Sequence, residues 1–378
     1  MREGWIYKKI GDVCKVFAGQ GAPQGESSYS SIGTPFVKAG NLSELITGTQ
    51  ESEIQKVSSE VASAHGLKLY KKGSVLFAKS GMSCMKSYIY TLKSDCYVVS
   101  HLAILEPNNI GSKYLQYYLE YKKPNSLVKD EAYPSISLKD IENMPIVFPQ
   151  NKNQEQSIVY ELDKINELIS IKKSQLEDYD NLAQSIFHEM FGDYTDRTKL
   201  KDIVDVQSGL VNPLEEPYCN MIHVGPANIE SNTSKLIDLK IAKEERLISG
   251  KYLFDSSMIL YSKIRPNLNK VTIADFKGIC SADMYALIPK ECIDKHYLLF
   301  LLKQKDYLDY AISNSGRANI PKINRNALLN YEAILPPLPL QHTFAKRIEV
   351  IERQKQFVNN IIKDLETILA SRMQYWFD

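Results

Sequence analysis

Residues 154–193 read QEQSIVYELDKINELISIKKSQLEDYDNLAQSIFHEMFGD, and this stretch decides how the chain is built, because a second version closes it. Residues 341–378 read QHTFAKRIEVIERQKQFVNNIIKDLETILASRMQYWFD. In the first, Ile158, Leu162, Ile165, Ile169, Lys172, Leu176, Tyr179, Ala183, Ile186 and Met190 follow an alternating four-three spacing. Phe344, Ile348, Ile351, Lys355, Val358, Ile362, Leu365, Leu369, Arg372 and Trp376 repeat it in the second. That is a coiled-coil seam sustained over about four heptads. No Pro or Gly interrupts either run before its last turn, and Gly192 supplies a stop. An apolar stripe on a long helix must be buried. Two matching stripes in one chain predict that they bury each other as an antiparallel pair. The plainer reading is a dimerisation coil, but Lys172 and Lys355 within the seams weaken that use.

The sequence outside the helices is also doubled. IGDVCKVFAG (10–19) is matched by LKDIVDVQSG (200–209), and TPFVKAGNLSE (34–44) by NMIHVGPANIES (220–231). GSVLFAKSG (73–81) returns as SMILYSKIRP (257–266), a buried-type strand with Lys79 or Lys263 at its end. YVVSHLAILEP (97–107) returns as SADMYALIP (281–289), and YLQYYLEYK (114–122) as YLLFLLKQK (297–305). Polar passages follow, KDEAYPSISLKDIENMPIVFP (129–149) and SNSGRANIPKINRNALLNYEAILPP (313–337). A period near 190 residues is too long for a solenoid. The expected architecture is therefore α+β: a domain at 1–150, a long helix at 151–192, a second domain at 193–336 and a second helix at 337–378. Loops diverge where the framework does not. GQGAPQGESSYSSIG (19–33) has no equal-length counterpart, which points to two modules that recognise different targets.

The chain has 378 residues, 44% of them hydrophobic and 24% charged, which is the balance of an ordinary globular protein. It contains no run of eighteen apolar residues, and MREGWIYKKIGD lacks a leader-like apolar core, so a cytoplasmic protein is expected. The six cysteines form no CxxC and the six histidines no HExxH, so free thiols and no metal site are expected. The net charge is only +1, but its distribution is uneven. Residues 1–150 carry 17 basic against 14 acidic side chains, or +3, while residues 151–192 carry 4 against 8, or −4. The central helix is a poor candidate for lying on phosphate, and any nucleic acid must be bound by the domains.

In this doubled order the chain resembles the specificity (S) subunits of type I restriction–modification systems. The resemblance is carried by the LxDI…G starts, the strand-end lysines of VLFAKSG and ILYSKIRP, and the passages PSISLKDIENMPIVFP and NIPKINRNALLNYEAILPPLPLQ. It spans the whole chain. It implies two target-recognition domains alternating with two long spacer helices, each domain reading half of a bipartite, asymmetric double-stranded DNA site. It also implies partners: two methyltransferase subunits carrying S-adenosylmethionine, and restriction/translocase subunits using ATP and Mg. No cofactor is expected in this chain.

The catalytic alternatives lack their parts. A methyltransferase needs a glycine-rich cofactor loop and a DPPY- or NPPY-like loop, and LPPLP (335–339) and NMPI (143–146) supply neither. GQGAPQG has the wrong spacing for a dinucleotide fingerprint, and no GxxxxGK[ST] loop exists. What remains is readout by polar and basic side chains at strand ends. The candidates in the first domain are Lys38, Asn41, Lys79, Ser80, Lys86, Lys129 and Tyr133. In the second they are Asn212, His223, Asn228, Lys263, Arg265, Asn267, Asn269, Lys270, Arg317, Asn319 and Lys322. Glu161, Glu167 and Glu177 on the acidic helix are the candidate partner contacts. A coiled-coil scaffold that binds no nucleic acid is the competing reading.

Overall fold

The computed structural model of the chain describes residues 2–316 and 319–378. Contacts divide it into two compact units, residues 1–174 with 359–378 and residues 175–358. The division runs through both long helices, the central helix Lys152–Phe191 and the terminal helix Leu338–Phe377. Each is 40 residues, about 60 Å at 1.5 Å per residue.

The two units follow one plan. In the first, Trp5–Lys9 pairs antiparallel with Pro145–Pro149, so the start of the domain is stitched to its end. Arg197–Lys199 with Glu332–Ile334 does the same in the second. Each unit then holds a four-stranded antiparallel sheet. In the first unit the order is Cys14–Ala18, Leu102–Pro107, Val75–Ala78, Ile89–Thr91. In the second it is Val204–Val206, Met284–Pro289, Ile259–Ser262, Val271–Thr272. The strands VLFA and ILYS are buried at all four positions, as continuous apolar runs flanked on both faces must be. A second sheet holds one parallel pair in each unit. Phe36–Val37 lies beside Tyr97–Val98, and His223–Val224 beside Ile279–Cys280.

Within the first unit the halves of the two helices run antiparallel. Glu161 meets Arg372 and Trp376, and Lys173 lies 3.5 Å from Glu366. In the second unit Asp180 meets Lys355 at 2.7 Å, while Phe187 and Phe191 pack edge-on against Phe344. Every seam residue named above is buried or half-buried. The stripes therefore close on each other within one chain. Lys355 is tolerated in the seam because Asp180 and Glu352 surround its amine at 2.7 and 3.2 Å. Burial pushes its pKa down, and those two carboxylates more than reverse the shift.

Two details depart from the expected reading. Both helices begin earlier than their first Gln, at Lys152 and Leu338, with Pro339 in the first turn, where its missing N–H costs nothing. The register of the two starts also changes. Gln341 is fully buried, accepting from the Asp294 amide at 2.8 Å and donating to the carbonyls of Cys292 and Pro336. In the first half this place is taken by Glu155, buried and accepting from the Gly111 amide at 2.7 Å, and not by Gln154. Each helix also ends on a phenylalanine beyond the seam. Phe377 packs edge-on against Tyr114 and Tyr118, and Phe191 against Tyr297.

Candidate nucleic-acid interface

The strand Val75–Ala78 runs directly into Lys79, and the backbone of Lys79 ties three loops together. Its amide donates to the His101 carbonyl at 2.9 Å and its carbonyl accepts from the Ile136 amide at 2.8 Å. Two residues on, the Gly81 amide donates to the Pro134 carbonyl at 2.9 Å. The parallel strand pair ends at the same place, because the Val99 amide donates to the Val37 carbonyl, delivering Lys38 and Ser100–His101. Ser80 Oγ lies 2.9 Å from His101 Nδ1, and Tyr133 stands 83% exposed beside buried Pro134.

The second unit repeats this junction bond for bond. The Lys263 amide donates to the Asp283 carbonyl at 3.0 Å, and the Lys263 carbonyl accepts from the Ile323 amide at 2.9 Å. The Arg265 amide donates to the Pro321 carbonyl at 2.7 Å, and Ile264 bridges to Lys322. The Ser281 amide donates to the Val224 carbonyl, as Val99 does to Val37. Lys263, half-buried, has its amine 5.2 Å from the Tyr285 ring centroid. Burial and the nearby Lys322 charge push its pKa down, while Asp283 pulls the other way. An ammonium in this condition gains from an added anion. Arg265 is exposed and left-handed (φ +48°, ψ +60°), and Gly81, at the matching place in the other unit, also has positive φ (+75°) but with an extended ψ. A side chain there costs about 1–2 kcal/mol relative to Gly.

The junctions hold Lys79, Ser80 and Tyr133 in one unit and Lys263, Arg265 and Lys322 in the other, with Lys38 at the edge of the first. Lys38 is braced, donating to Gln55 at 2.7 Å with its amine 4.0 Å from the Tyr29 ring centroid. Lys129 is exposed and donates to Asp140 at 3.2 Å, a solvent-screened surface pair free to exchange. Lys86 and Asn267 are exposed on short 3-10 turns and Asn319 is exposed on a loop, and Arg317 lies outside the described residues.

Five of the predicted readers are instead engaged within the fold. Asn228 is buried with its amide fully used, Oδ1 accepting from Gly225 at 2.9 Å and Nδ2 donating to Ile237 and Asp238. Asn41 makes the equivalent turn by accepting from the Lys38 amide at 2.9 Å. Asn269 is buried and left-handed, donating to the Lys303 carbonyl. Asn212 closes its own turn onto Leu214 and Glu215. His223 is buried, 2.8 Å from Glu245, and burial pushes its pKa down. Lys270 has a related role, donating to the Pro226 carbonyl at 2.7 Å and pinning the loop that Asn228 shapes. Side chains of Asn and Asp serve turns as readily as bases, and sequence does not separate the two uses.

Glu161 is also corrected. Arg372 grips its carboxylate through Nε and, at 3.1 Å, through Nη2, and Trp376 Nε1 donates at 3.0 Å. The guanidinium holds its pKa below the ordinary value. It is an internal strut, not a free partner contact. Glu167 pairs with Lys164 at 2.6 Å and Glu177 is exposed, so both face outward. His101 and Asp283, which are not among the sequence candidates, supply the carbonyls that accept from the Lys79 and Lys263 amides. Their signal was the matched pair YVVSHLAILEP and SADMYALIP, in which each stands immediately before its strand.

Two copies of one α+β plan, each presenting a basic loop junction and each built onto a long helix, define a two-headed binding protein. The model of the type I restriction modification DNA specificity domain matches residues 2–178 and 195–367, and the chain belongs to that family. The type I restriction enzyme EcoDI specificity subunit of Escherichia coli is 28% identical over 351 residues, covering 80% of this chain and 76% of the relative. The MjaIX specificity subunit of Methanocaldococcus jannaschii is 28% identical over 154 residues, or 39% of this chain and 34% of the relative. Among solved structures, the type I S subunit from M. genitalium superposes with a TM-score of 0.57 at 14% identity, covering 99% of this chain and 96% of that one. A chain from a study of complex assembly and conformational transition of the type I R-M system gives 0.59 at 15%, covering 99% and 97%. At such identities these two establish the fold. Among the described residues no helix is long and apolar enough to cross a membrane.

Proposed function

We propose that each unit reads one half of a bipartite, asymmetric duplex site through its strand-end lysine junction. The observation that carries this is the repetition of that junction, hydrogen bond for hydrogen bond, around different side chains. A shared frame with unlike occupants is what two readers of unlike half-sites require. Lys79, Lys263 and Lys322 engage phosphate and fix register, while side chains at the loop tips reach base edges. The helices set the separation of the half-sites and dock two methyltransferase subunits through outward-facing side chains such as Glu167 and Glu177. The chain itself performs no chemistry. S-adenosylmethionine belongs to the methyltransferase partners, and ATP with Mg to the restriction/translocase partners, all in the cytoplasm.

The test is methylome sequencing of a host expressing this chain with its methyltransferase, followed by exchange of residues 193–336 for the equivalent domain of a relative. One half of the methylated site should change and the other should persist. Change in both halves, or in neither, defeats independent reading. The scaffold alternative predicts no salt-dependent binding of duplex DNA.

A further inference from the structure

Lys79 and Lys263 fix the same frame in both units, so the residues that accept their amide bonds occupy equivalent places, His101 in one and Asp283 in the other. Asp283 is partly exposed on a turn held by its own amide, which donates to Ser281 Oγ at 3.1 Å. Its carboxylate accepts no hydrogen bond and joins no ion pair within 4 Å among the described residues, although Lys263, which also feels the charge of Lys322, is a neighbour. A carboxylate placed among cations that face phosphate opposes binding unless it has an acceptor's task. In the major groove that task is defined: a carboxylate accepts from the exocyclic amino groups of cytosine N4 or adenine N6 and repels the O6 and O4 acceptors of guanine and thymine. His101 presents a different chemistry at the same place. Its Nδ1 is engaged by Ser80 Oγ, which orients the ring at the exposed tip.

We propose that positions 101 and 283 are matched base-reading positions of the two domains, and that Asp283 selects a base bearing an exocyclic amino group, cytosine or adenine. The proposal rests on the DNA-reading function above and adds to it two residues and one base class.

The experiment uses the full chain assembled with its methyltransferase subunits, and a duplex library randomised one position at a time across both half-sites. The wild-type complex should show, at one position of the half-site assigned to residues 193–336, a preference for C or A over G and T of roughly tenfold or more. Asp283→Ala should reduce that preference to about threefold or less. Asp283→Asn, which keeps the shape and adds a donor, should newly admit G or T there. Neither should alter the other half-site, where His101→Ala should change one position. If both Asp283 variants retain every wild-type preference, the assignment is wrong. It is equally wrong if affinity merely rises evenly across the library, which would make Asp283 a counter-ion for Lys263. A wild-type complex with no base preference anywhere would overturn the DNA-reading function itself, an outcome distinct from either.

Discussion

Arg265 shows how a single residue separates function from stability. Gly81 stands at the matching place in the other unit and takes a positive φ at no steric cost, whereas Arg265 holds a left-handed conformation there with an exposed side chain. Arg265→Gly should therefore leave unfolding free energy within about 1 kcal/mol of wild type, since relief of strain offsets the added chain entropy. DNA binding should fall by about 1–3 kcal/mol and specificity should relax at one position if the guanidinium is bidentate to guanine. Uniform weakening with a shallower salt slope would make it a phosphate contact, and unchanged binding would remove it from the interface. Glu161 is the opposite case, a residue whose work is internal. Its carboxyl is held below its ordinary value near 4.5 by Arg372. A depressed carboxylate contributes stability above its unfolded pKa and loses it as pH falls through the folded one. Glu161→Gln should then cost at most about 1 kcal/mol at pH 7 in urea unfolding, solvent screening included, with the difference from wild type shrinking as pH falls below the ordinary value near 4.5. A difference that persists in acid would show that packing, not charge, is the cause.

At the scale of elements, the starts of the long helices show two solutions to one electrostatic requirement. The helix Ser112–Lys122 has Gly111 at its N-cap, with no side-chain cap, and buried Glu155 brings a carboxylate to it. A side chain on Gly111 would meet Glu155 Oε1 at 2.6 Å, so the glycine is needed for the approach. In the second half the helix Lys295–Lys303 has its own carboxylate at the N-cap, Asp294, which accepts from the His296 and Tyr297 amides. The neutral Gln341 then suffices in the place of Glu155. A negative charge at a helix N-terminus is favourable, and a second one buried beside it is not. Gln341→Glu, although it copies the first half, should destabilise the second unit by at least about 2 kcal/mol. Asp294→Gly in the same chain should recover part of that loss. Thermal unfolding of the two variants decides, and additive losses would exclude the charge argument.

At the scale of the whole molecule, duplication makes the long helices the fixed element and the loops the variable one. If the helix pair is the ruler between half-sites, four residues inserted near Lys172–Ser174 add about 6 Å of rise and about 40° of rotation. That is one or two base pairs of DNA at about 3.4 Å each. Methylation mapping should find the same half-sites with a longer gap, at some cost in stability because the partner helix must absorb the insertion. An active complex that keeps the original spacing rejects the ruler. Near-neutral net charge is compatible with the proposed arrangement, in which binding would be delegated to two local junctions and not to a basic surface at large.

The sequence by itself determined the doubled α+β plan, the two helices and their seam, and the strand-end lysines. Periodicity and repetition are local properties of the chain, and the full or partial burial of all twenty seam positions follows from them. Only the tertiary structure decided which polar side chains face outward. Asn228 and Asn269 have the composition of readers, but their side-chain amides are engaged by backbone groups of their own and other loops. Glu161 reads as a surface charge until Arg372, more than two hundred positions away, closes on it. His101 and Asp283 look unremarkable alone and become equivalent only when Lys79 and Lys263 bind them into the same frame. A hydrogen-bond donor or acceptor is available to a ligand only when the fold has left it unsatisfied. That is a property of the three-dimensional environment, and no single residue's identity encodes it.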